Sequence, residues 1–257
     1  MYLSQLFLNR SNRQVLRQAG QPYEMHRTLA TCCFEQTAID AQKNVARAKT
    51  LETNSAYGLL FRLDFDRNSD DLVLLAQSQV KPDWGNLPAG YALQVQGPKQ
   101  FDLKNQLVVG QVLGFRLRAS PTKRIGNSTL FKQDIGKRVA IKKEQEQLEW
   151  LERKGMQHGF ELRKKMHDEE EEKVIDTVVS KEGHQLGFKH EGNTEHDMRW
   201  YSVLFNGTLI VKNPDLLWLA IQCGIGSAKG MGFGLLSLSR IPSPVLTGEG
   251  ADGIGHR

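Results

Sequence analysis

Residues 59–80 read LLFRLDFDRNSDDLVLLAQSQV. From Leu59 to Asp66 apolar and polar side chains alternate, the period of a strand with one face buried. Asn68, Ser69, Asp70 and Asp71 form a turn cluster, and Leu72–Val80 supplies a second strand, so the pair is expected to fold back as a hairpin. Upstream, Tyr2–Leu8 (YLSQLFL) reads as a short buried strand, followed by a polar, basic stretch. Pro22 then sits where the first turn of a helix tolerates proline, because the N–H it lacks would be unpaired there. That helix is expected to run to about Gln36. Downstream, Lys81-Pro82-Asp83-Trp84 leaves room for a short helix, and Tyr91–Gln96 is another strand candidate. Strand, helix, strand, strand, short helix, strand is the order of a ferredoxin-like unit.

A comparable order repeats. Val112–Ala119 alternates apolar with basic residues, and Lys143–Lys154 is helical in composition, with Leu148 and Leu151 facing inward and Gly155 near its end. Phe160–Met166 can be a strand, and His167–Thr194 reads as an irregular insertion rich in Gly, His and Glu. Arg199–Phe205 and Thr208–Lys212 flank Asn206-Gly207, the strongest short hairpin signal available. A helix is expected from Pro214 through Gln222, and Leu235–Leu238 can close the sheet after a glycine-rich loop. The expected fold is therefore α+β, two tandem ferredoxin-like domains packed together. They are expected to span 1–97 and 107–240, with a disordered tail at 241–257.

Composition narrows the function classes. The chain has 257 residues, 39% hydrophobic and 25% charged, and no apolar run reaches the roughly 18 residues needed to cross a bilayer. Its first residues lack the basic leader and long apolar core of a signal peptide. Three cysteines, Cys32, Cys33 and Cys223, give no disulfide framework, so a reducing, cytoplasmic setting is expected. The net charge of +5 is unevenly spread: residues 111–143 hold nine Lys or Arg against one acid, Asp134. The nine are Arg116, Arg118, Lys123, Arg124, Lys132, Lys137, Arg138, Lys142 and Lys143. Such a block reads either as a surface for a polyanion or as a solvated strand and loop.

Two motifs bear on chemistry. GIGSAKGMGFG, residues 224–234, fails as a P-loop because Lys229 precedes Gly230-Met231 where Gly-Lys-Ser/Thr is required. It fails as a dinucleotide fingerprint too, and it precedes a strand. What remains is a segment with little bulk and many N–H donors, suited to close approach to a phosphate backbone or to another domain. The seven histidines show no HExxH spacing and there is no CxxC, so no metal or other cofactor is expected. In PYEMHRT, at about 100° per residue, Tyr23, His26, Arg27 and Ala30 share one helix face, opposite Met25, Leu29 and Cys32. Spacing alone leaves Tyr23 and His26 either boundary residues or a proton-transfer pair.

The motifs taken in order are MYLSQLFLN, PYEMHRTL, VKPDWGNL, FRLRASPTKR, GKRVAIK, LEWLERKG, VLFNGTLIV and GIGSAKGMGFGLLSL. Over roughly residues 1–238 this set resembles the CasE family, CRISPR RNA-processing endoribonucleases of the type I-E Cascade complex within the RAMP superfamily. The resemblance implies two ferredoxin-like domains and a metal-independent cut at the base of the repeat stem-loop. That cut leaves a 5′-hydroxyl and a 2′,3′-cyclic phosphate or 3′-phosphate, and the product hairpin stays bound. It implies Tyr23 and His26 as catalytic residues and Arg27 as a counter-charge for phosphate. The basic strand and loop, Arg116, Arg118, Lys123, Arg124, Lys137 and Arg138, are implied as RNA contacts. So are Lys181, His184, Lys189 and His190 in the region 177–193, where the family carries a hairpin for the RNA groove. Gly226, Lys229, Gly230 and Gly232 are implied at the scissile end. The implied partners are the repeat hairpin RNA and other Cascade subunits, with no membrane and a monomer when isolated. The alternative is a RAMP-type RNA-binding subunit without catalysis.

Overall fold

The computed structural model describes residues 1–34, 58–66, 69–126, 135–167, 170–191 and 194–241. Lys132, Asn68 and the tail from Pro242 onward lie outside these. Strands β1 (Tyr2–Leu8), β2 (Leu60–Asp66), β3 (Asp71–Ser78) and β4 (Ala92–Gln100) form an antiparallel sheet in the order β2-β3-β1-β4. The expected hairpin is present, with Leu60 opposite Gln77 and Asp66 opposite Asp71. Helix α2 (Pro22–Cys33) lies on one face of the sheet, burying Met25, Leu29 and Cys33 among Leu6, Phe61 and Leu74. Burying a side chain of that size is worth about 1.5–3 kcal/mol, which fixes the helix rotation about its axis.

Three expectations need correction here. The polar stretch before Pro22 contains a helix, α1 (Arg13–Ala19), whose first N–H groups at Gln14 and Val15 donate to the Asn12 side chain. It was hidden because its inner face is small. Only Val15 and Gln18 are buried, and Gln18 is held by Tyr91 Oη and by Thr28 Oγ1, each at 2.7 Å. Helix α2 ends at Cys33, where Phe34 turns extended, three residues short of Gln36. Strand β4 runs from Ala92 to Gln100, past the end expected for it at Gln96.

The second half is built on β5 (Val112–Ala119), α3 (Glu144–Gln157), β8 (Phe160–Leu162), β12 (Thr194–Val211), α4 (Pro214–Cys223) and β13 (Leu236–Arg240). Pairing runs β13-β5-β12-β8, the same ferredoxin-like order as in the first sheet. Its core gathers Leu117, Trp150, Leu151, Phe205 and Leu217. On α3 the buried positions are Gln147, Trp150, Leu151 and Gly155, while Leu148 is only half-buried. A short hairpin, β6 (Thr122–Arg124) with β7 (Arg138–Ala140), branches from β5.

Between β8 and β12 the described residues of the expected irregular insertion are mostly strand. A small hairpin, β9 (Lys164–His167) with β10 (Glu170–Ile175), leads into β11 (Thr177–Glu191), which pairs along β12 from Gly207 to Thr194. The turn expected at Asn206-Gly207 is absent, because both residues lie inside β12. Gly207 is there for closeness: a Cβ would sit 2.4 Å from Asp176 O and 2.5 Å from Thr177 Oγ1. A glycine in a strand marks close backbone approach as readily as a turn.

The two halves meet through polar bonds that are buried or partly buried. Gln77 Nε2 donates to Ile221 O at 2.7 Å, an Arg62 Nη donates to Ser237 Oγ at 2.8 Å, and an Arg118 Nη donates to Leu63 O at 2.6 Å. Among the described residues no helix is long and apolar enough to cross a membrane.

Candidate active site

Helix α2 carries its polar residues on the side away from Met25 and Leu29. Tyr23 and His26 are half-buried and Arg27 is exposed, whereas Ala30, expected on the same face, is buried. Arg27 reaches back to Glu24 at 3.1 Å, an exposed pair one helical turn apart. Such a pair is worth at most about 1 kcal/mol, so it holds the guanidinium only loosely.

His26 is closed in by the glycine-rich loop. A Cβ on Gly230 would stand 3.4 Å from His26 Cε1 and 3.5 Å from Nδ1, and Gly230 has φ +82°. Only glycine suits both the conformation and the contact. Burial lowers the His26 pKa from its ordinary 6.5, and a backbone hydrogen bond with Gly230 opposes that shift without cancelling it. At neutral pH the ring is therefore mainly neutral, and a phosphate arriving beside it would draw it back toward the protonated form. Gly232, two residues on, lies against Phe61.

Tyr23 rests on the long hairpin. A Cβ on Gly187 would be 3.4 Å from Tyr23 Cβ and 2.8 Å from the Trp200 ring, so β11 lacks a side chain where α2 crosses it. Trp200 in turn meets Phe233 of the glycine-rich loop, with ring centroids 6.3 Å apart. Helix α2, the β11–β12 hairpin and the loop thus converge on Tyr23 and His26.

On the far side of the loop lies a cleft of about 900 Å³. It is lined by Lys123, Arg124, Arg138, Arg153, Lys154 and Lys229, with no acidic side chain among the described lining residues. Trp150 forms part of its wall, and Gly226 sits on that ring, where a Cβ would be 3.3 Å away. His158, at the end of α3, has its pKa lowered to about 4 by burial and by the nearby Lys154 and Lys229 charges. Burial is the larger cause, and the added repulsion from two lysines marks the positive potential of the cleft, which favours negative charge.

The structure thus gathers Lys123, Arg124, Arg138, Gly226 and Lys229 in one cleft, and Tyr23, His26 and Gly230 at one end of its loop. Lys123 is partly occupied by an ion pair with Glu146. Lys137 is exposed beside Arg138. Arg116 is turned to Asn206 Oδ1 at 2.6 Å, and Lys181 approaches Glu144 at 3.8 Å. His184 stands edge-on to Tyr201, while the side chains of Lys189 and His190 lie outside the described residues. Arg118 is turned inward. It is 9% exposed, and its donors are spent on Glu182 and Leu63 O inside the protein, which leaves no fork for a phosphate. Arg153, Lys154 and His158 went unread in the sequence. The signal was the basic end of the LEWLERKG helix, which an amphipathic reading discounts as a solvated face. Among the described residues no three His, Cys, Asp or Glu side chains are grouped to hold a metal ion.

A family profile described as CRISPR associated protein matches residues 1–240. The chain is 36% identical over 243 residues to the CRISPR-associated endoribonuclease Cse3 of Thermus thermophilus, covering 93% of this chain and 100% of the relative. It is 36% identical over 138 residues to the CRISPR system Cascade subunit CasE of Escherichia coli, covering 52% and 61% of the two chains. The structure of Thermus thermophilus Cse3 bound to an RNA representing a pre-cleavage complex is similar, with TM-score 0.67 and 34% identity over 93% of this chain and 98% of that one.

Proposed function

The chain belongs to the CRISPR-associated protein family of Cse3 and CasE, and we propose that it is the endoribonuclease that cuts the repeat stem-loop of precursor CRISPR RNA without a metal ion. The RNA supplies its own nucleophile. The 2′-oxygen attacks the adjacent phosphorus, its proton leaves to a base, the P–O5′ bond breaks, and the departing oxygen takes a proton. The ends are a 2′,3′-cyclic phosphate and a 5′-hydroxyl. Cleavage so written needs proton transfer and charge stabilisation, and no protein nucleophile.

His26 is the general acid for the leaving oxygen. Tyr23 positions the 2′-hydroxyl or donates to a phosphoryl oxygen, since a phenol is a poor base at neutral pH. Arg27, tethered weakly to Glu24, can swing to the phosphate. The stem backbone lies along the cleft beside Arg124, Arg138, Arg153 and Lys229, and the hairpin product stays there, inside a Cascade-type assembly. One observation carries this reading: the loop whose Gly230 encloses His26 also supplies, through Gly226 and Lys229, a wall of the basic cleft. The test is incubation with the repeat hairpin RNA in EDTA and mapping of both new ends. A single cut with a 5′-hydroxyl is expected. Intact RNA, or cleavage that appears only on adding a divalent ion, would reject the proposal.

His158 supplies a pH signature of the same cleft. Its folded pKa near 4 lies below the ordinary 6.5, so it contributes stability above pH 6.5 that is lost as pH falls toward 4. RNA phosphates would offset the repulsion from Lys154 and Lys229 and raise that pKa. Binding at a pH between these two values should therefore take up a proton. Calorimetry of RNA binding in buffers of different ionisation enthalpy should show the uptake in the wild type and its loss in His158→Gln.

A further inference from the structure

Arg118 is bonded to three elements around the site: β2, the long hairpin and the glycine-rich loop. Its Nε and one Nη donate to the two Glu182 carboxylate oxygens, each at 2.7 Å, and the other Nη donates to Leu63 O at 2.6 Å. Its own carbonyl accepts from Gly234 N at 2.8 Å, where the glycine-rich loop ends. One residue on β5 therefore grips β2, the long hairpin and the loop. The loop bond is made by the main chain, while the guanidinium makes the fork to β2 and the hairpin, a geometry that lysine cannot reproduce.

Glu182 is placed for the grip by an irregularity in β11. Lys181 pairs with Val203 and Gly183 with Ser202, so Glu182 is an extra residue, and Gly183 has φ +86° with open space around it. A bulge of this kind re-aims one side chain out of the alternating pattern. Ser202 Oγ donates to the same carboxylate at 2.6 Å, completing its shell. Arg118 and Glu182 also line a small cavity of about 210 Å³ with Pro22 and Met25 of α2 and Gly232 of the loop. Five residues along β11 from the grip is Gly187, the seat of Tyr23.

We propose that Arg118 and Glu182 act as positioning residues: the pair fixes the β11–β12 hairpin and the glycine-rich loop against α2, so that Tyr23 and His26 face the same phosphate. Neither touches RNA. The proposal rests on the cleavage reading above. A small displacement at this grip is passed to both catalytic side chains at once, and misplacement by about 1 Å can cost roughly 100-fold in rate.

The test uses Arg118→Lys and Glu182→Gln, each of which keeps part of the bonding, with thermal melting as a check on folding. Single-turnover cleavage and RNA affinity across a salt series are measured for both and for the double variant. The expected result is a fall in rate of about 10- to 100-fold in each single variant, with affinity and salt slope unchanged. The double variant should be little worse than either single, because both act through one contact. If Arg118 were instead a phosphate ligand, Glu182→Gln would release its guanidinium and tighten binding, while Arg118→Lys would weaken it. That pattern, or a Glu182→Gln protein that cuts at the wild-type rate, overturns the proposal. Hydrogen exchange without RNA reads the grip independently of chemistry. Weaker protection in β11 and in residues 226–234 of Glu182→Gln is expected even if the wild type fails to cut. Unchanged protection refutes the grip, and wild-type failure alone refutes only the cleavage reading.

Discussion

His26→Ala is expected to slow single-turnover cleavage of the repeat hairpin by about 10²–10⁴-fold, the range associated with one proton-transfer group, while leaving RNA affinity nearly unchanged. Affinity survives because the ring sits behind Gly230, outside the run of cationic side chains that lines the cleft. The same residue sets the direction of the pH dependence. Burial lowers its pKa from 6.5, and kcat/KM reports the free enzyme. If the protonated ring is the acid, kcat/KM should fall as pH rises through a value below 6.5. The kcat profile of the RNA-bound enzyme should be displaced to higher pH, because an adjacent phosphate favours imidazolium. A rate that climbs through the same range would make His26 the base and Tyr23 the group beside the leaving oxygen. A profile flat from pH 5 to 8, or full activity in His26→Ala, removes His26 from the chemistry.

What the sequence disclosed depended on whether local pattern or distant packing decided each feature. The hairpin at 60–78 follows from alternation and a polar turn, both local, and it is present, pairing Leu60 with Gln77 and Asp66 with Asp71. The face of α2 was readable for the same reason: Met25 and Leu29 at helical spacing dictate where Tyr23 and His26 point. Asn206-Gly207 shows the opposite case. Its dipeptide preference for a turn is overridden because β12 continues between β5 and β11, and Gly207 serves the passing Asp176–Thr177 backbone. The region before Thr194 looked irregular because β11 carries Gly183 and Gly187 and little apolar alternation. Those glycines are explained by a bulge and by contact with Tyr23, neither of which leaves a periodic trace. Charge is hard to place from sequence in both directions. Arg118 lies in a basic run yet is bonded inward to Glu182, while Arg153 and Lys154 lie in an ordinary helix and line the cleft. Counting charges along a strand cannot tell an inward Arg bonded to a distant Glu from one facing solvent, since Glu182 is 64 residues away.

That distinction sets the largest expected effect on binding. Replacing Arg124, Arg138 and Arg153 together by Ala should weaken hairpin binding by roughly 10²–10³-fold at ~0.1 M salt. Each phosphate that is no longer neutralised takes about 0.7–0.9 off the slope of log K against log salt, because its counterions stay bound to the RNA. The slope itself should therefore drop by about 2–3. Lys123 is left out of the set because its ammonium is already engaged by Glu146, and its removal should cost less than that of any of the three arginines. Cleavage at saturating RNA should fall far less than affinity, since the three arginines line the cleft whereas His26 is enclosed by Gly230. Filter binding across a salt series, run beside single-turnover kinetics, separates the two quantities. Unchanged affinity in the triple variant would move the RNA off this cleft and onto the outer face of β5 and β12, where Arg116 is turned toward Asn206.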